Sequence, residues 1–292
     1  MIYKNIDDFI NDNNDHLVSF TVSTNNNLNL IQNLFESAKN NNIKLVLFAL
    51  DKHICTFMNK LFDIDIVMFM ADENPHKDKE FYNYEFGSSE WKQIVYYRYF
   101  IAHRLLKEGK NIVYMDTDVY INRNYIVDIR EQLRKNDLII QTNGNSCCTG
   151  FFAIKSCRKL INFFSKRNMT ELKYEDYGGT GGSSDQKFFN HFIGNNMEKY
   201  NCAMLDRKFY PNGNYFYDNY DMINDYCYIV HFNCVQGEFK KIKRVIKYNK
   251  LLIDLIDYLP KDELEDPEVL RYRSLLNEIK SNKNNKSNKN NV

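Results

Sequence analysis

Apolar runs alternate with helical patterns three times before residue 116, and this alternation constrains the fold more than any other feature. Strand patterns fall on "HLVSFTVST", "IKLVLFALD" and "DIDIVMFM". Helical spacing separates them, and the longest helical pattern runs from Trp91 to Glu108 and ends at Gly109. A fourth apolar run, 112–115, follows. Such alternation is typical of a parallel sheet with helices on its faces. We therefore predict a single Rossmann-like α/β domain with a mainly parallel central sheet flanked by helices.

Two aspartates, Asp116 and Asp118, follow the fourth apolar run. Ligands of open α/β sheets bind beyond the carboxyl ends of the strands, where these side chains would lie. If the extended geometry persists, residues two apart point to the same side, and like charges that close require a cation. Mg²⁺ and Mn²⁺ accept carboxylate oxygens readily. The pattern therefore predicts a divalent-metal site, although solvated strand ends also carry such tripeptides by chance.

Length and charge exclude several classes of protein. The chain has 292 residues, of which 43% are hydrophobic, enough for a full core. A net charge of +1 gives no broad electrostatic footprint for nucleic acid. The start lacks the pattern of a signal peptide, and no apolar run approaches the roughly 18 residues of a membrane span. We expect a soluble cytoplasmic protein that binds no nucleic acid and has no transmembrane segment.

The remaining compositional signals concern the thiols, the origin and the domain boundaries. Seven cysteines without paired C-x-x-C spacing predict reduced thiols and no structural zinc. Abundant Asn, Lys, Ile and Tyr suggest an AT-rich genome, as in a large virus or a protist, and a virus-encoded chain would act in the host cytoplasm. We predict a main domain over 1–250, a helical extension over 251–280 and a disordered tail over 281–292.

Five segments resemble, in order, motifs of the nucleotide-diphospho-sugar transferase family of GT-A glycosyltransferases. An arginine, Arg98, and then "LKEG" precede the aspartates. "CCTGFFAIKS" resembles the family's Gly-Phe strand under the donor sugar, and "GGSSDQKFFN" resembles its Asp-Gln pair. "DRKFYPNGNYF" is similar to the Phe-Pro-Asn-Gly segment, with Tyr210 where phenylalanine is usual. "IVHFNCVQGEFKKIKR" is similar to the terminal His, Asn, Gly and Lys block. The likeness runs from about residue 91 to 248, and more weakly back to the first strand.

The resemblance implies a GT-A catalytic domain and a reaction. The implied activity is metal-dependent, retaining transfer of a hexose from a nucleoside diphosphate sugar, with UDP-glucose or UDP-galactose favoured, to a hydroxyl of a glycan or protein. A divalent metal would stabilise the charge on the departing diphosphate. Two oxygen ligands and an imidazole suit Mn²⁺ slightly better than Mg²⁺. A homodimer would be compatible with this family.

The resemblance also implies a role for each matching residue. The implied metal ligands are Asp116, Asp118 and His231, with Asp116 shared between the metal and the ribose. The implied catalytic residues are Asp185 and Gln186, with Gln186 near the reacting carbon and no covalent intermediate. The implied substrate contacts are Thr21, Val22, Ser23, Arg98, Asp116, Thr117, Gly150, Gly237, Lys240 and Lys241, and the family's lysine falls most naturally on Lys241.

Alternatives with a purely structural role remain open for these residues. His231 could be a strand-end histidine satisfied by its neighbours, and Arg98 could cap a carboxylate. Asp185 could be the N-cap of a helix that starts at "QKFF". Lys240 and Lys241 could begin a solvated basic helix.

Two alternatives concern the whole chain. A phosphatase of the haloacid-dehalogenase type also has D-x-D after a strand, but the motif of that family has Thr or Val where this chain has Tyr120. A degenerate nucleotide-sugar or glycan-binding module would keep the fold without turnover. An assay of donor hydrolysis or transfer separates these cases.

Overall fold

A central sheet of eight strands organises the part of the chain that the computed structural model describes, which is residues 1–68, 89–165 and 184–248 with residues 250 and 270. The strands of the sheet, in spatial order, are β1 (Ile2–Tyr3), β4 (Ile66–Met68), β3 (Leu45–Ala49), β2 (Leu17–Ser23), β5 (Asn111–Met115), β8 (Ser146–Ile154), β7 (Leu138–Asn143) and β9 (Cys202–Met204). A second, two-stranded sheet pairs β6 (Val119–Ile121) with β10 (Ile229–His231). The described helices are α1 (Ile6–Asp12), α2 (Leu28–Asn40), α3 (Lys52–Leu61), α4 (Ser89–Lys107), α5 (Ile126–Lys135), α6 (Arg158–Phe163), α7 (Ser184–Phe192), α8 (Gly213–Ile223) and α9 (Glu238–Lys247).

The central sheet is mainly parallel. Strands β1, β4, β3, β2 and β5 run parallel to one another. Strand β8 is antiparallel to both β5 and β7, and β9 is parallel to β7. The predicted α/β class and the predicted strands β2 to β5 are confirmed.

Helices cover both faces of this sheet. Leu47 and Phe48 of β3 are both fully buried, and they enter different cores because successive side chains of a strand point to opposite faces. One core takes side chains from α1, α4, α6 and α7, and the other from α2, α3 and α5. Burial on both faces explains why the strands are nearly continuous apolar runs.

A smaller third core joins α8, α9 and β10. Phe216, Val230 and Val245 are buried there together with Leu30 of α2. This core packs α9 against α2.

Three helices were not predicted from the sequence. Helix α1 precedes the first predicted strand. Helix α5 carries Ile129 and Leu133 at helical spacing, which is the signal in the sequence that indicates it. Helix α8 lies in a segment that is rich in Asn and Tyr, which are weak helix formers. Its N-cap Asn212 accepts a hydrogen bond from the amide of Tyr215, which offsets the weak propensity.

Several predictions concern residues outside the described part. Apart from Leu270, the extension over 251–280 and the tail over 281–292 lie there. Among the described helices, none has the length and apolar character that a membrane span requires.

Candidate active site

Asp116 and Asp118 lie in a turn directly after β5, at the carboxyl edge of the sheet. The amide of Asp116 still donates to the carbonyl of Gly150 in β8, at 2.8 Å, and the amide of Val119 then donates back to the carbonyl of Asp116. The expectation that extended geometry persists through Asp118 is therefore wrong. The chain turns because β6 leaves the main sheet to pair with β10, and the turn brings the two carboxylates to one place.

His231 joins the two aspartates. It ends β10, where it pairs with Val119 of β6, and the amide of Phe232 donates to the carbonyl of Asp118 at 2.9 Å. Its Nε2 lies 3.2 Å from Oδ1 of Asp118 and 3.8 Å from Oδ2 of Asp116. One donor atom from each of the three residues falls within 4.8 Å of the others. Two carboxylate oxygens and one imidazole nitrogen at this spacing fit a hard divalent cation such as Mn²⁺ or Mg²⁺.

The fourth charged group of this cluster is Lys241. Its Nζ lies 2.7 Å from Oδ2 of Asp118, and Asp118 is 4% exposed. Although burial opposes ionisation, Lys241 and His231 hold the pKa of Asp118 well below its ordinary value. Although burial also disfavours the imidazolium, Asp118 raises the pKa of His231 well above its ordinary value. Without a bound cation, positive charge on His231 and Lys241 thus balances the aspartates, and a divalent cation would take the place of the proton on Nε2 of His231.

Helix α9 places the two predicted lysines in different surroundings. Gly237 precedes the helix with φ of 86°, a conformation that favours glycine, and α9 starts at Glu238. Lys241 points to Asp118, whereas Lys240 is exposed. The interpretation of a solvated basic helix therefore describes Lys240 and Lys247, and Lys241 belongs to the charged cluster.

Arg98 of α4 connects Asp116 to Asp185. Its Nη1 donates to Oδ1 of Asp116 at 2.9 Å, its Nη2 donates to Oδ2 of Asp185, and its side chain is buried. Helix α7 begins at Ser184, so Asp185 lies in its first turn, inside the helix, and the N-cap interpretation is wrong. The alternative in which Arg98 contacts a carboxylate therefore agrees with the structure, because its guanidinium contacts two carboxylates, those of Asp116 and Asp185.

Two tyrosines that the sequence analysis did not single out complete this network. Tyr99 donates to Oδ2 of Asp185 at 2.8 Å, and Tyr114 donates to Oδ1 of Asp116 at 2.6 Å. Tyr99 follows the predicted Arg98, and Tyr114 lies two residues before the predicted Asp116. This proximity is the signal in the sequence that could have indicated the two tyrosines. Because Oδ1 of Asp116 is held by Arg98 and Tyr114, Oδ2 is the oxygen that faces His231.

Gly150 leaves the space that the imidazole of His231 occupies. A Cβ at this position would lie 2.0 Å from Cε1 of the His231 ring, so any larger residue would displace the imidazole. The pairing of β7 with β8 shifts register between Ile140 and Gln141, next to Gly150. Gly150, which the resemblance places under a donor sugar, is therefore required in this structure because a side chain there would displace His231.

The other predicted residues surround this cluster. Thr21, Val22 and Ser23 lie at the carboxyl end of β2, and Val22 packs into the core. A ligand could therefore reach Val22 only through its backbone. Thr117 is partly exposed between the two aspartates, and Gln186 is partly exposed beside Asp185.

Glu238 is a site neighbour that the sequence did not indicate. Its Oε1 accepts a hydrogen bond from the amide of Asn29, 3.1 Å away, at the start of α2, where Asn27 makes no side-chain cap. Burial raises the pKa of Glu238 to about 7 from an ordinary value of 4.5, despite these amide hydrogen bonds. Helix α2 is thus capped from α9, which ties the lysine-bearing helix to the main domain.

The raised pKa of Glu238 predicts a pH-dependent stability. Its folded pKa exceeds its unfolded pKa, so the folded state binds more protons between pH 4.5 and about 7. Its contribution is full below pH 4.5 and is lost as the pH rises through about 7. We expect urea unfolding at pH 5 and pH 8 to show that Glu238→Gln removes about 2 kcal/mol of pH-dependent stability. Glu131→Gln, at an exposed position, is the control, and an unchanged slope in Glu238→Gln would contradict the assignment.

Comparison with known proteins gives a consistent set of relatives. A family model described as nucleotide-diphospho-sugar transferase matches residues 41–245. A UDP-galactose:fucoside alpha-3-galactosyltransferase of Dictyostelium discoideum is 22% identical over 295 residues. That alignment covers 85% of this chain and 45% of the relative, so the chain spans less than half of the relative's length.

Solved structures resemble the chain at low identity. The glycosyltransferase GlyE of Streptococcus pneumoniae TIGR4 is 15% identical with a TM-score of 0.53, over 83% of this chain and 61% of GlyE. The galactosyltransferase LgtC, in complex with donor and acceptor sugar analogues, is 12% identical with a TM-score of 0.51, over 84% of this chain and 98% of LgtC. The bifunctional glycosyltransferase WbbM is 10% identical with a TM-score of 0.55, over 90% of this chain and 52% of WbbM. These likenesses confirm the predicted fold.

Proposed function

Because the chain belongs to the nucleotide-diphospho-sugar transferase family and has the GT-A fold, we propose that it is a glycosyltransferase that moves a hexose from a nucleoside diphosphate sugar to a hydroxyl acceptor. The observation that carries this proposal is the cluster of Asp116, Asp118, His231 and Lys241 at the carboxyl edge of the sheet. The family match also favours transfer over the phosphatase alternative.

Asp116, Asp118 and His231 would hold the divalent cation, Mn²⁺ or Mg²⁺. When bound, the cation supplies Lewis-acid stabilisation of the charge on the departing diphosphate. Oδ2 of Asp116 is available for it because Oδ1 already accepts from Arg98 and Tyr114. Lys241 lies beside these ligands, and its side chain is 26% exposed, so its ammonium can also reach a phosphate oxygen.

Asp185 and Gln186 would face the sugar. Oδ2 of Asp185 is engaged by Arg98 and Tyr99, which orients the carboxylate as an acceptor for donor hydroxyls and weakens it as a nucleophile. Gln186 offers a neutral amide, which is a poor nucleophile. These features argue against a covalent intermediate. With the retention that the family resemblance implies, we propose same-face attack: the acceptor oxygen bonds to the anomeric carbon while the bond to the diphosphate breaks, and the acceptor proton passes to the departing phosphate oxygen.

UDP-galactose is the donor to test first. The Dictyostelium relative uses UDP-galactose by its name, and its low identity and partial coverage leave UDP-glucose as the alternative. Glucose and galactose differ in the orientation of one hydroxyl, which few contacts distinguish. We propose a glycan or protein hydroxyl as the acceptor.

Thermal unfolding of the chelator-treated chain with a panel of nucleotide sugars tests this function. A ligand at 100 times its Kd stabilises the folded state by about 2.7 kcal/mol, and only if it binds that state. We expect a rise in Tm with UDP-galactose or UDP-glucose that requires added Mn²⁺. Stabilisation without release of UDP in the presence of hydroxyl acceptors would instead support the degenerate binding module. No stabilisation by any nucleotide sugar would contradict the proposal.

A further inference from the structure

Gln141 is a fully buried polar residue whose side-chain amide is paired at both ends and contacts His231 of the site. It belongs to β7, on the same face as the apolar Ile139. Its Nε2 donates to the carbonyls of Tyr210 and Pro211, at 3.1 and 2.9 Å, and its Oε1 lies 2.8 Å from Nδ1 of His231. Burial of an amide is costly unless every group is paired, and here both donors and the acceptor are.

The two carbonyls determine which way the amide of Gln141 points. A flipped amide would set its oxygen against the carbonyl oxygens of Tyr210 and Pro211, where no hydrogen is available. The amide oxygen therefore faces His231, and Nδ1 of the imidazole must be the donor in that hydrogen bond.

A proton on Nδ1 determines the role of the other ring nitrogen. Nε2 is the atom that points to Asp116 and Asp118. With Nδ1–H held by Gln141, the neutral imidazole has its lone pair on Nε2, as a metal ligand requires. The other neighbour of Nδ1 is Cys148, whose Sγ lies 3.7 Å away and is a weak acceptor.

We propose that Gln141 is a positioning residue that orients His231 and fixes its tautomer, so that Nε2 faces the two aspartates. The inference rests on the proposed function in treating Nε2 as a metal ligand. The register shift between Ile140 and Gln141 places the Gln141 side chain against the imidazole of His231. The carbonyl of Pro211 also accepts a hydrogen bond from the amide of His231, which fixes the end of β10.

Binding of Mn²⁺ to the full chain, measured from the electron paramagnetic resonance signal of free Mn²⁺, tests this proposal. We expect Gln141→Met, which keeps the length but offers no oxygen, to weaken Mn²⁺ binding about 10- to 100-fold. Gln141→Glu restores an oxygen acceptor for Nδ1 and is expected to recover part of that affinity, at a pH where its second oxygen is protonated and donates to one of the two carbonyls. Equal affinity of Gln141→Met and wild type would overturn the proposal.

Asn122→Leu is the matched control. Asn122 is a side-chain amide that donates to two backbone carbonyls, of Asn224 and Cys227, as Gln141 does for Tyr210 and Pro211, but it makes no contact with His231. If Gln141 only stabilises the backbone at Tyr210 and Pro211, Gln141→Met and Asn122→Leu should both lower Tm and leave the Mn²⁺ affinity of the folded protein unchanged.

A second readout separates this inference from the metal site. In metal-free protein with ¹⁵N-labelled histidine, we expect the Nδ1 proton of His231 to be protected from exchange, with its signal assigned by loss in His231→Ala. The signal should shift or disappear in Gln141→Met and persist in Asn122→Leu. If wild type takes up no Mn²⁺, the metal site of the proposed function fails, and this signal alone decides the role of Gln141. A Nδ1 signal unchanged in Gln141→Met would overturn it.

Discussion

Asp118→Asn is expected to lower the rate of sugar transfer about 100- to 1,000-fold, the cost of removing one preorganised electrostatic group from an active site. Asp118 is the buried carboxylate that contacts both His231 and Lys241. Asparagine keeps the shape and removes the charge, so the variant loses a metal ligand and the ion pair that places Lys241. The addition of Mn²⁺ should then no longer raise Tm in the presence of the donor.

Asp137→Asn is the control for this substitution. Asp137 precedes β7 and pairs with Lys155 and Lys159, apart from the metal cluster. Transfer by Asp137→Asn is expected to stay within about twofold of wild type, since isolated partly exposed ion pairs contribute little. Asp118→Asn with transfer as fast as Asp137→Asn would show that the cation site lies elsewhere.

Gly150→Ala is expected to reduce transfer about as much as Asp118→Asn, although it adds only one methyl group. The new Cβ would lie 2.0 Å from Cε1 and 2.6 Å from Nε2 of His231, and the imidazole must move away from the aspartates. Overpacking of this kind typically costs about 1–3 kcal/mol of stability. Mn²⁺ affinity, transfer rate and Tm should all fall.

A double variant identifies the cause of that loss. Gly150→Ala combined with His231→Ala removes the ring that the methyl group meets, so we expect the Tm penalty of Gly150→Ala to shrink in this background while transfer stays absent. Gly194→Ala is the control glycine, because its Cβ would make only an ordinary contact, at 3.4 Å from Asn190. Additive Tm changes in the double variant would place the origin of the defect outside His231.

The alternation of apolar runs and helical spacing predicted the central sheet, because a strand buried on both faces must be apolar along its length. Asp116 and Asp118 were predicted from the strand that precedes them and His231 from the family resemblance, and the structure brings the three together. The turn after Met115 was not predicted, since it depends on β6 pairing with β10, a strand more than 100 residues later in the sequence.

The residues that support the site were not predicted from sequence for a related reason. Gln141 contacts His231 across 90 residues, and Glu238 contacts Asn29 across 209. A glutamine in an apolar strand resembles any buried polar residue until its partners are known. Tyr99 and Tyr114 resemble core aromatics for the same reason, because only their hydroxyl groups contact the two carboxylates.

The release of UDP and the appearance of a galactosylated product, followed in one reaction with UDP-galactose and a hydroxyl acceptor, test the central claim most directly. UDP-glucose is run in parallel. We predict that the chelator-treated wild-type chain forms neither product, that Mn²⁺ restores both, and that His231→Ala stays inactive with Mn²⁺ present. Equal turnover by His231→Ala, or no turnover with either donor and Mn²⁺, would contradict a metal-dependent glycosyltransferase built on Asp116, Asp118 and His231.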